Sequence, residues 1–386
     1  MKKLIFTSLV SFLIFSVNTK IHAQEKLETS AKAQINSWST FNFEKPIKHQ
    51  LGARFIPQIN FEKGNENIQF DAEFSFNTTG SLNYEKWKNT GTYEKFSPYR
   101  MWLRLSGVNF EIRAGLQKIN FGSATMLRPL MWFDRIDPRD PLQLTEGVYA
   151  ILGKYYFKNN ANIWLWGLAG NDETKGLEVI PSTASDPELG GRFQFPVATG
   201  ELAVTLHHRT ADRSEFYSSA TIQGKKSFPQ NRYALDGKWD AGVGVWFEYV
   251  LEENGIENVV FPYKYQHTAN VGLDYTFGIG NGLNISTELF YFSQADEIFN
   301  SETNAEISAL AVNYPLGLID QISAMVYYSW KDQSWYRFIN FQRTYDFWSF
   351  YLMGFWNPDQ FMLYNLDETR NLFSGKGIQF MAVYNF

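Results

Sequence analysis

A dense run of opposite charges lies between Met126 and Pro141, where acidic and basic side chains alternate among three prolines and several large apolar residues. Proline fixes its own backbone angle and removes an amide donor, so these prolines stiffen the segment and preset its turns. Charges of both signs on a stiff segment create a local field that orders water and favours polar or charged solutes. The candidates for such a site are Arg128, Asp134, Arg135, Asp137, Arg139 and Asp140.

Histidine and serine offer a second chemistry, nucleophilic or metal-assisted hydrolysis. His207 and His208 stand near Asp212 and Ser214, the only local cluster of this kind in the sequence. No Gly-x-Ser-x-Gly motif and no third spaced metal ligand accompany it, although a catalytic triad or a zinc site needs three converging side chains. Cysteine is absent, which removes thiol chemistry. We therefore predict no enzyme activity, no catalytic site, no metal site and no cofactor.

The elements that must position the charged run alternate between apolar and polar residues. Between residues 68 and 77 every second residue is Ile, Phe or Ala, and the others are Gln, Asp, Glu, Ser and Asn. Residues 108–117 repeat the pattern. A period of two is typical of strands with two differently solvated faces. Aromatic residues make up 17% of the chain, yet no run of eighteen apolar residues follows the N-terminal segment. Helical membrane spans are thereby excluded, and lipid-facing strands are favoured.

About eighteen segments alternate in this way, and the connections between them are short and long in turn. The long connections are predicted at 79–95, 119–146, 169–188, 210–230, 254–264, 295–305 and 357–375. Outer-membrane barrels have short periplasmic turns and long extracellular loops, and only a closed barrel pairs every strand backbone group in lipid. The sequence thus predicts an all-β, transmembrane, antiparallel up-and-down β-barrel of about eighteen strands. Sixteen strands would remain if the weakest segments, 31–43 and 231–238, were not strands.

Residues 1–23 are predicted to be a cleaved signal peptide, with Lys2 and Lys3 before an apolar core and Ala23 at the cleavage site. An uncleaved anchor is the alternative. Residues 24–386 then form a single barrel domain, exported to the outer membrane of a Gram-negative bacterium. The net charge of −5 disfavours a nucleic-acid partner. The alternating last strand, which ends at Phe386, is similar to the signal that the barrel-assembly machinery reads.

An eighteen-stranded barrel is too wide for its own side chains to fill, so the polar faces of the strands are predicted to line a lumen. Residues 119–146, between the fifth and sixth strands, are the predicted constriction loop, because a loop of this length in a compact architecture is usually functional. The alternative is an external loop whose Arg and Asp side chains pair with one another. The predicted lumen-lining residues are Asp71, Glu73, Arg100, Arg104, Glu111, Arg113, Lys118, Glu201, Arg209, Glu248 and Glu288.

The stretch from Gly115 to Gly122, followed by the run Asp134-Arg-Ile-Asp-Pro, resembles the strand-then-loop signature of porin-like and alginate-export-like outer-membrane proteins. The resemblance implies a passive diffusion channel of comparable architecture and no particular substrate. The expected function is a porin-like channel for small polar or charged solutes, surrounded by outer-membrane lipid. The alternative is a non-channel barrel that acts as a scaffold or as a surface-assembly or adhesion protein. The lipid-facing surfaces leave homo-oligomerisation open.

Overall fold

The computed structural model describes residues 27–44, 46–214, 227–255, 263–358 and 373–386. The predicted signal peptide at 1–23 lies outside these residues. Eighteen strands follow one another along the chain: β1 (Glu28–Asn42), β2 (Lys48–Gly64), β3 (Ile68–Glu85), β4 (Lys88–Gly107), β5 (Phe110–Gln117), β6 (Val148–Tyr156), β7 (Asn162–Leu168), β8 (Glu188–Val197), β9 (Gly200–Asp212), β10 (Ser227–Asp240), β11 (Gly244–Asn254), β12 (Tyr265–Phe277), β13 (Leu283–Ala295), β14 (Thr303–Pro315), β15 (Asp320–Ser329), β16 (Ser334–Thr344), β17 (Trp348–Trp356) and β18 (Lys376–Asn385).

The strands form one closed antiparallel sheet. Each strand pairs with its sequence neighbours, and β1 pairs with both β2 and β18. The seam extends to the last residue, because the amide of Phe386 donates to the carbonyl of Ala33 at 3.0 Å. The predicted barrel of eighteen strands is confirmed. The two weakest predicted segments are β1 and β10, so the sixteen-stranded alternative is excluded. Among the described residues no helix is long and apolar enough to cross a lipid bilayer.

The two ends of the barrel differ in the length of their connections. At the end where β1 begins and β18 ends, here called the terminus end, the links are short: 65–67, 108–109, 157–161, 198–199, 241–243, 278–282, 316–319 and 345–347. The opposite end, here called the loop end, holds the longest connections, 118–147, 169–187, 213–226 and 357–375, together with the shorter ones 43–47, 86–87, 255–264, 296–302 and 330–333.

One predicted loop is wrong. Residues 79–95 continue the β3–β4 hairpin, whose turn consists of Lys86 and Trp87 with φ angles of 48° and 67°. Two positive φ angles in a two-residue turn match the right-handed twist of the paired strands. Cross-strand pairing between β3 and β4 satisfies the backbone groups of this stretch, so it extends both strands and forms no loop.

Successive residues of a strand face opposite sides of the barrel wall, as the period of two predicts. Leu289 exposes 53% of its surface on the outside, whereas its neighbour Glu288 exposes 2% on the inside. Leu206 and His207 differ in the same way, at 52% and 3%. The outer surface is therefore a belt of exposed apolar side chains, and polar side chains turn inward.

Inward-facing tryptophans pack flat against glycines on the adjacent strand. Trp246 on β11 lies directly opposite Gly272 on β12, and Trp166 on β7 lies opposite Gly190 on β8. A Cβ atom at Gly272 would overlap the indole ring of Trp246. Glycine is required here because the ring occupies the space that any side chain would need.

We expect the substitution Gly272→Val to destabilise the barrel by about 1–3 kcal/mol, since the buried indole must leave its position in a packed wall. The measurement is the temperature at which the folded band disappears from unboiled SDS gels. Gly278→Val is the control, because a Cβ at Gly278 in the adjoining turn meets nothing within 4 Å. Equal melting of the two variants would contradict this account of the tryptophan–glycine pair.

Candidate constriction site

The connection between β5 and β6, residues 118–147, is packed inside the barrel. Its side chains Leu130, Trp132 and Phe133 are 1–3% exposed. They pack with Trp166 of β7 and Val250 of β11, both on the inward faces of their strands. A connection whose apolar side chains are this deeply buried must lie inside the barrel, because apolar side chains on the outer surface are exposed.

The same loop reaches the far side of the barrel. Met126 and Leu127 pack with Ala309 on β14, Tyr327 on β15 and Tyr336 on β16. In the circular order of the strands, β14 and β15 lie opposite β5 and β6. The loop therefore crosses the interior rather than following the wall beside its own strands.

A carboxylate from β11 binds the first part of the crossing. One oxygen of Glu248 accepts the amides of Ser123 at 2.6 Å and Ala124 at 2.8 Å, and the other accepts the amide of Leu130 at 3.2 Å. Glu248 is 1% exposed. Converging amides form an anion-binding concavity, and hydrogen bonds to a charged acceptor are stronger than neutral ones.

A second carboxylate, Glu288 on β13, repeats this arrangement. It accepts the amides of Thr125 at 2.7 Å, Met126 at 3.2 Å and Leu127 at 2.7 Å. Asn270 of β12 donates both to Glu288 at 3.1 Å and to the carbonyl of Leu127 at 2.8 Å. The loop is thus fastened to three adjacent strands through its own backbone. Both glutamates were predicted to line the lumen, but no sequence pattern indicated that they would hold the loop.

The predicted constriction residues pair largely with one another. Arg128 binds Asp134 through two contacts of 2.7 and 3.2 Å, and both side chains are buried. Arg139 binds Asp137 at 2.7 and 2.6 Å. Arg135 donates to the carbonyl and hydroxyl of Thr174, in the next long loop. The arginine and aspartate charges that follow one another in this part of the sequence are therefore mostly compensated by ion pairs within the loop.

Asp140, the last acidic residue of the charged run, is held by a backbone amide of the loop itself. It accepts the amide of Leu142 at 3.0 Å. Burial raises the pKa of Asp140, while the Leu142 amide and the charge of Arg54 on β2 oppose the rise. Nearby, Leu142 packs with Tyr351 and Met381, so this end of the loop rests on the wall of β17 and β18.

Most of the predicted lumen-lining residues lie on one wall, formed by β3, β4 and β5. Arg104 binds Asp71 at 2.8 Å, and Arg113 binds Glu111 at 2.9 Å. The side chains of Arg104 and Arg113 stay 28% and 19% exposed, so water reaches this wall. The remaining two members of the wall group, Glu73 and Arg100, also face inward, and Arg100 donates to the carbonyl of Thr145 in the loop at 2.9 Å.

Arg209, on β9, lies apart from this group in a buried ionic cluster that the sequence did not reveal. Glu178, from the β7–β8 loop, contacts Arg209 at 3.1 Å, Arg232 at 2.9 Å and Lys175 at 3.5 Å. Burial alone would raise the pKa of Glu178, but the three cations hold it below its usual value. The β7–β8 loop is therefore a second segment fastened inside the barrel.

The histidines that are adjacent in the sequence face opposite sides of the barrel wall. His207 faces inward and contacts Glu188 at 3.1 Å, whereas His208 faces outward and contacts Asn231 at 2.7 Å. Asp212 is bound by Ser214 instead of by either histidine. In the described part of the chain, no group of three or more His, Cys, Asp or Glu residues is arranged to hold a metal ion.

Comparison with known proteins places this architecture in a familiar fold. No protein-family model matches the sequence, and the search of curated proteins found no match. Among solved structures, Pseudomonas aeruginosa OccK5 (OpdH) is similar over 93% of this chain and 98% of its own, with a TM-score of 0.55 and 11% identity. Acinetobacter baumannii OccAB4 is similar over 94% of this chain and 99% of its own, with a TM-score of 0.54 and 7% identity.

A third similar structure is the trimer form of OmpT, an outer membrane protein of Vibrio cholerae. It is similar over 93% of this chain and 99% of its own, with a TM-score of 0.53 and 10% identity. At these identities the likeness concerns the fold. The fold is that of a porin-like outer-membrane β-barrel, as the strand-then-loop resemblance in the sequence predicts.

Proposed function

We propose that this protein is an outer-membrane channel for the passive diffusion of small polar or charged solutes, constricted by residues 119–146. The observation that carries the proposal is the crossing of the interior by this loop, with its backbone amides bound to Glu248 and Glu288. A scaffold barrel needs no such internal support. A loop that narrows a water-filled path must be held against thermal motion, and two charged acceptors supply that rigidity.

The six predicted constriction residues take two roles in this proposal. Arg128, Asp134 and Arg139 are buried and paired, so they hold the shape of the loop. Arg135, Asp137 and Asp140 keep part of their surface exposed and are the members that a passing solute can reach. Together with the partly exposed arginines of β4 and β5, they offer charges of both signs along the path, which favours polar and charged solutes over apolar ones.

We place the terminus end in the periplasm and the loop end outside the cell. The lengths of the connections support this orientation, because porin-type barrels have short turns on the periplasmic side. Export then follows the predicted signal peptide at 1–23, and the strand that ends at Phe386 is proposed to be read by the barrel-assembly machinery. Outer-membrane lipid covers the exposed apolar belt, and assembly into a homo-oligomer is compatible with it.

The test is reconstitution into planar lipid bilayers and into liposomes with sugars and amino acids of graded mass. We expect discrete conductance steps from the unaltered protein, and a larger conductance and size limit when residues 121–144 are replaced by a short Gly-Ser linker. Replacing 297–301, in the β13–β14 connection, is the control and should change neither quantity. Neutralising Arg128, Arg135 and Asp137 in turn is expected to alter conductance or ion selectivity.

Two outcomes would contradict the proposal. An absence of conductance from both the unaltered protein and the linker variant would favour the scaffold or adhesion alternative. Conductance that none of the loop substitutions changes would place the constriction elsewhere in the barrel.

A further inference from the structure

Two cations and a tryptophan form a row on the outer surface of the barrel at the loop end. Arg337 on β16 lies directly opposite Trp356 on β17, which lies directly opposite Lys376 on β18. All three are on the outward faces of their strands. Trp356 is 56% exposed, and the side chain of Lys376 is 53% exposed. The row is therefore accessible from the lipid phase and not from the lumen.

The aromatic rings hold the two cations in place. The guanidinium carbon of Arg337 lies 5.6 Å from the ring of Trp335 and 5.3 Å from that of Trp356. The ammonium of Lys376 lies 5.5 Å from the same Trp356 ring. Contacts of this kind attract a cation to the ring face without neutralising its charge. The row thus presents two positive charges on one rigid indole support.

The residues on either side fix the depth of the row. Toward the middle of the barrel the outward side chains of the same strands are Ile339, Leu352 and Ile378, each 44–52% exposed. Toward the loop end, Trp335 is 48% exposed. Tryptophans border the apolar band of such barrels at the level of the lipid headgroups. Arg337 and Lys376 consequently lie where headgroup phosphates lie.

Among the described residues, the Arg337 side chain has no ion-pair partner, whereas a second arginine on the same face of the strand has one. Arg343, at the terminus end of β16, binds Asp320 at 2.7 and 2.8 Å. Within the described ranges, no carboxylate lies within 4.0 Å of the Arg337 guanidinium. The acidic neighbour of Lys376 is Glu44, at 3.6 Å, and both side chains are widely exposed. Exposed pairs of that kind contribute little and leave the lysine available.

We propose that Arg337 and Lys376 bind a phosphate group of an anionic lipid headgroup in the outer leaflet. The inference rests on the proposed orientation in the outer membrane, but it does not depend on channel activity. Basic residues at a membrane surface attract anionic headgroups, and arginine matches phosphate oxygens with two parallel donors. Trp356 both fixes the cations and packs against the acyl or sugar part of the bound lipid.

The test is native mass spectrometry of the folded protein in detergent, titrated with diphosphoryl lipid A or with its dephosphorylated form. We expect binding of the phosphorylated form, with affinity falling about tenfold in the double variant Arg337→Gln/Lys376→Gln. Arg343→Gln is the matched control, on the same strand and face, and should bind as the unaltered protein does. Trp356→Leu keeps both charges and is expected to weaken binding by a smaller factor. This second variant of the same site keeps the proposal testable if the double variant fails to fold.

Several results would overturn the inference. Unchanged binding in the double variant, or equal weakening in Arg343→Gln, would show that the row is not a specific site. Equal binding of the two lipid forms would exclude phosphate recognition. Displacement of the lipid by inorganic phosphate at a similar concentration would show that the row binds free anions. If the double variant lost an oligomer but kept its bound lipid, the row would be a contact with a second copy of the chain. Conductance of the double variant should stay unchanged, so failure here is separable from failure of the channel proposal.

Discussion

Replacing Glu248 and Glu288 together with glutamine is expected to raise the single-channel conductance by roughly twofold or more, because hydrogen bonds to a charged acceptor are stronger than those to a neutral one. Each carboxylate accepts at least three backbone amides of the loop inside the wall. Glutamine keeps the side-chain volume but offers one oxygen and turns an NH₂ group toward the remaining donors. The loop then loses its fixed crossing, and the open cross-section grows and fluctuates.

The measurement is single-channel recording of the double variant beside the unaltered protein, with current noise as a second readout of loop mobility. Glu306→Gln is the control, since Glu306 is an exposed residue of β14 that takes no part in these contacts. Each single substitution should give an intermediate effect, because the other glutamate still holds part of the loop. A double variant with unchanged conductance and noise would mean that packing alone holds the loop.

Removal of the Glu178 carboxylate is expected to cause the largest loss of stability. Glu178→Ala would leave Arg209, Arg232 and Lys175 as buried cations without their common acid. Breaking a buried ionic cluster by removing one partner costs about 3–5 kcal/mol. We expect a lower unfolding temperature in SDS gels and greater protease access to the β7–β8 loop. The double variant Glu178→Leu/Arg232→Met, which removes an acid and a base together, should recover part of the loss.

The same cluster gives the stability a definite pH dependence. The three cations depress the pKa of Glu178 in the folded barrel, so its carboxylate stabilises the fold fully above the usual glutamate pKa near 4.5. That contribution is lost progressively as the pH falls from about 4.5 through the depressed value. Asp320→Ala, which removes only an exposed ion pair with Arg343, should leave both the unfolding temperature and its pH dependence unchanged. Equal acid sensitivity of the Glu178→Ala variant and the unaltered protein would contradict this assignment.

The barrel itself was predictable because period-two alternation is a local steric property of the extended chain. Ile68, Phe70 and Phe74 share one face of their strand, and in the barrel this face is the outer one. A shift of one residue along the strand would turn all three side chains inward. The strand count follows from the same alternation, and so does the position of the start of β1 and the end of β18 at one end of the barrel. Residues 79–95 are the exception: they were predicted to be a long connection, but cross-strand pairing, which no single strand encodes, extends the hairpin through them.

Only the tertiary structure determined where the loops pack and which charged side chains contact one another. The contacts of the β5–β6 loop with Glu248 and Glu288 join residues more than one hundred positions apart, and those of Glu178 with Arg232 join residues 54 apart. The alternation of apolar and polar residues carries no information about contacts between residues far apart in the sequence. It therefore predicted that both glutamates face the lumen but not which groups they bind. The cause is physical: a side chain's direction is set by its own backbone, whereas its partner is set by closure of the sheet, which brings distant strands to opposite sides of one lumen.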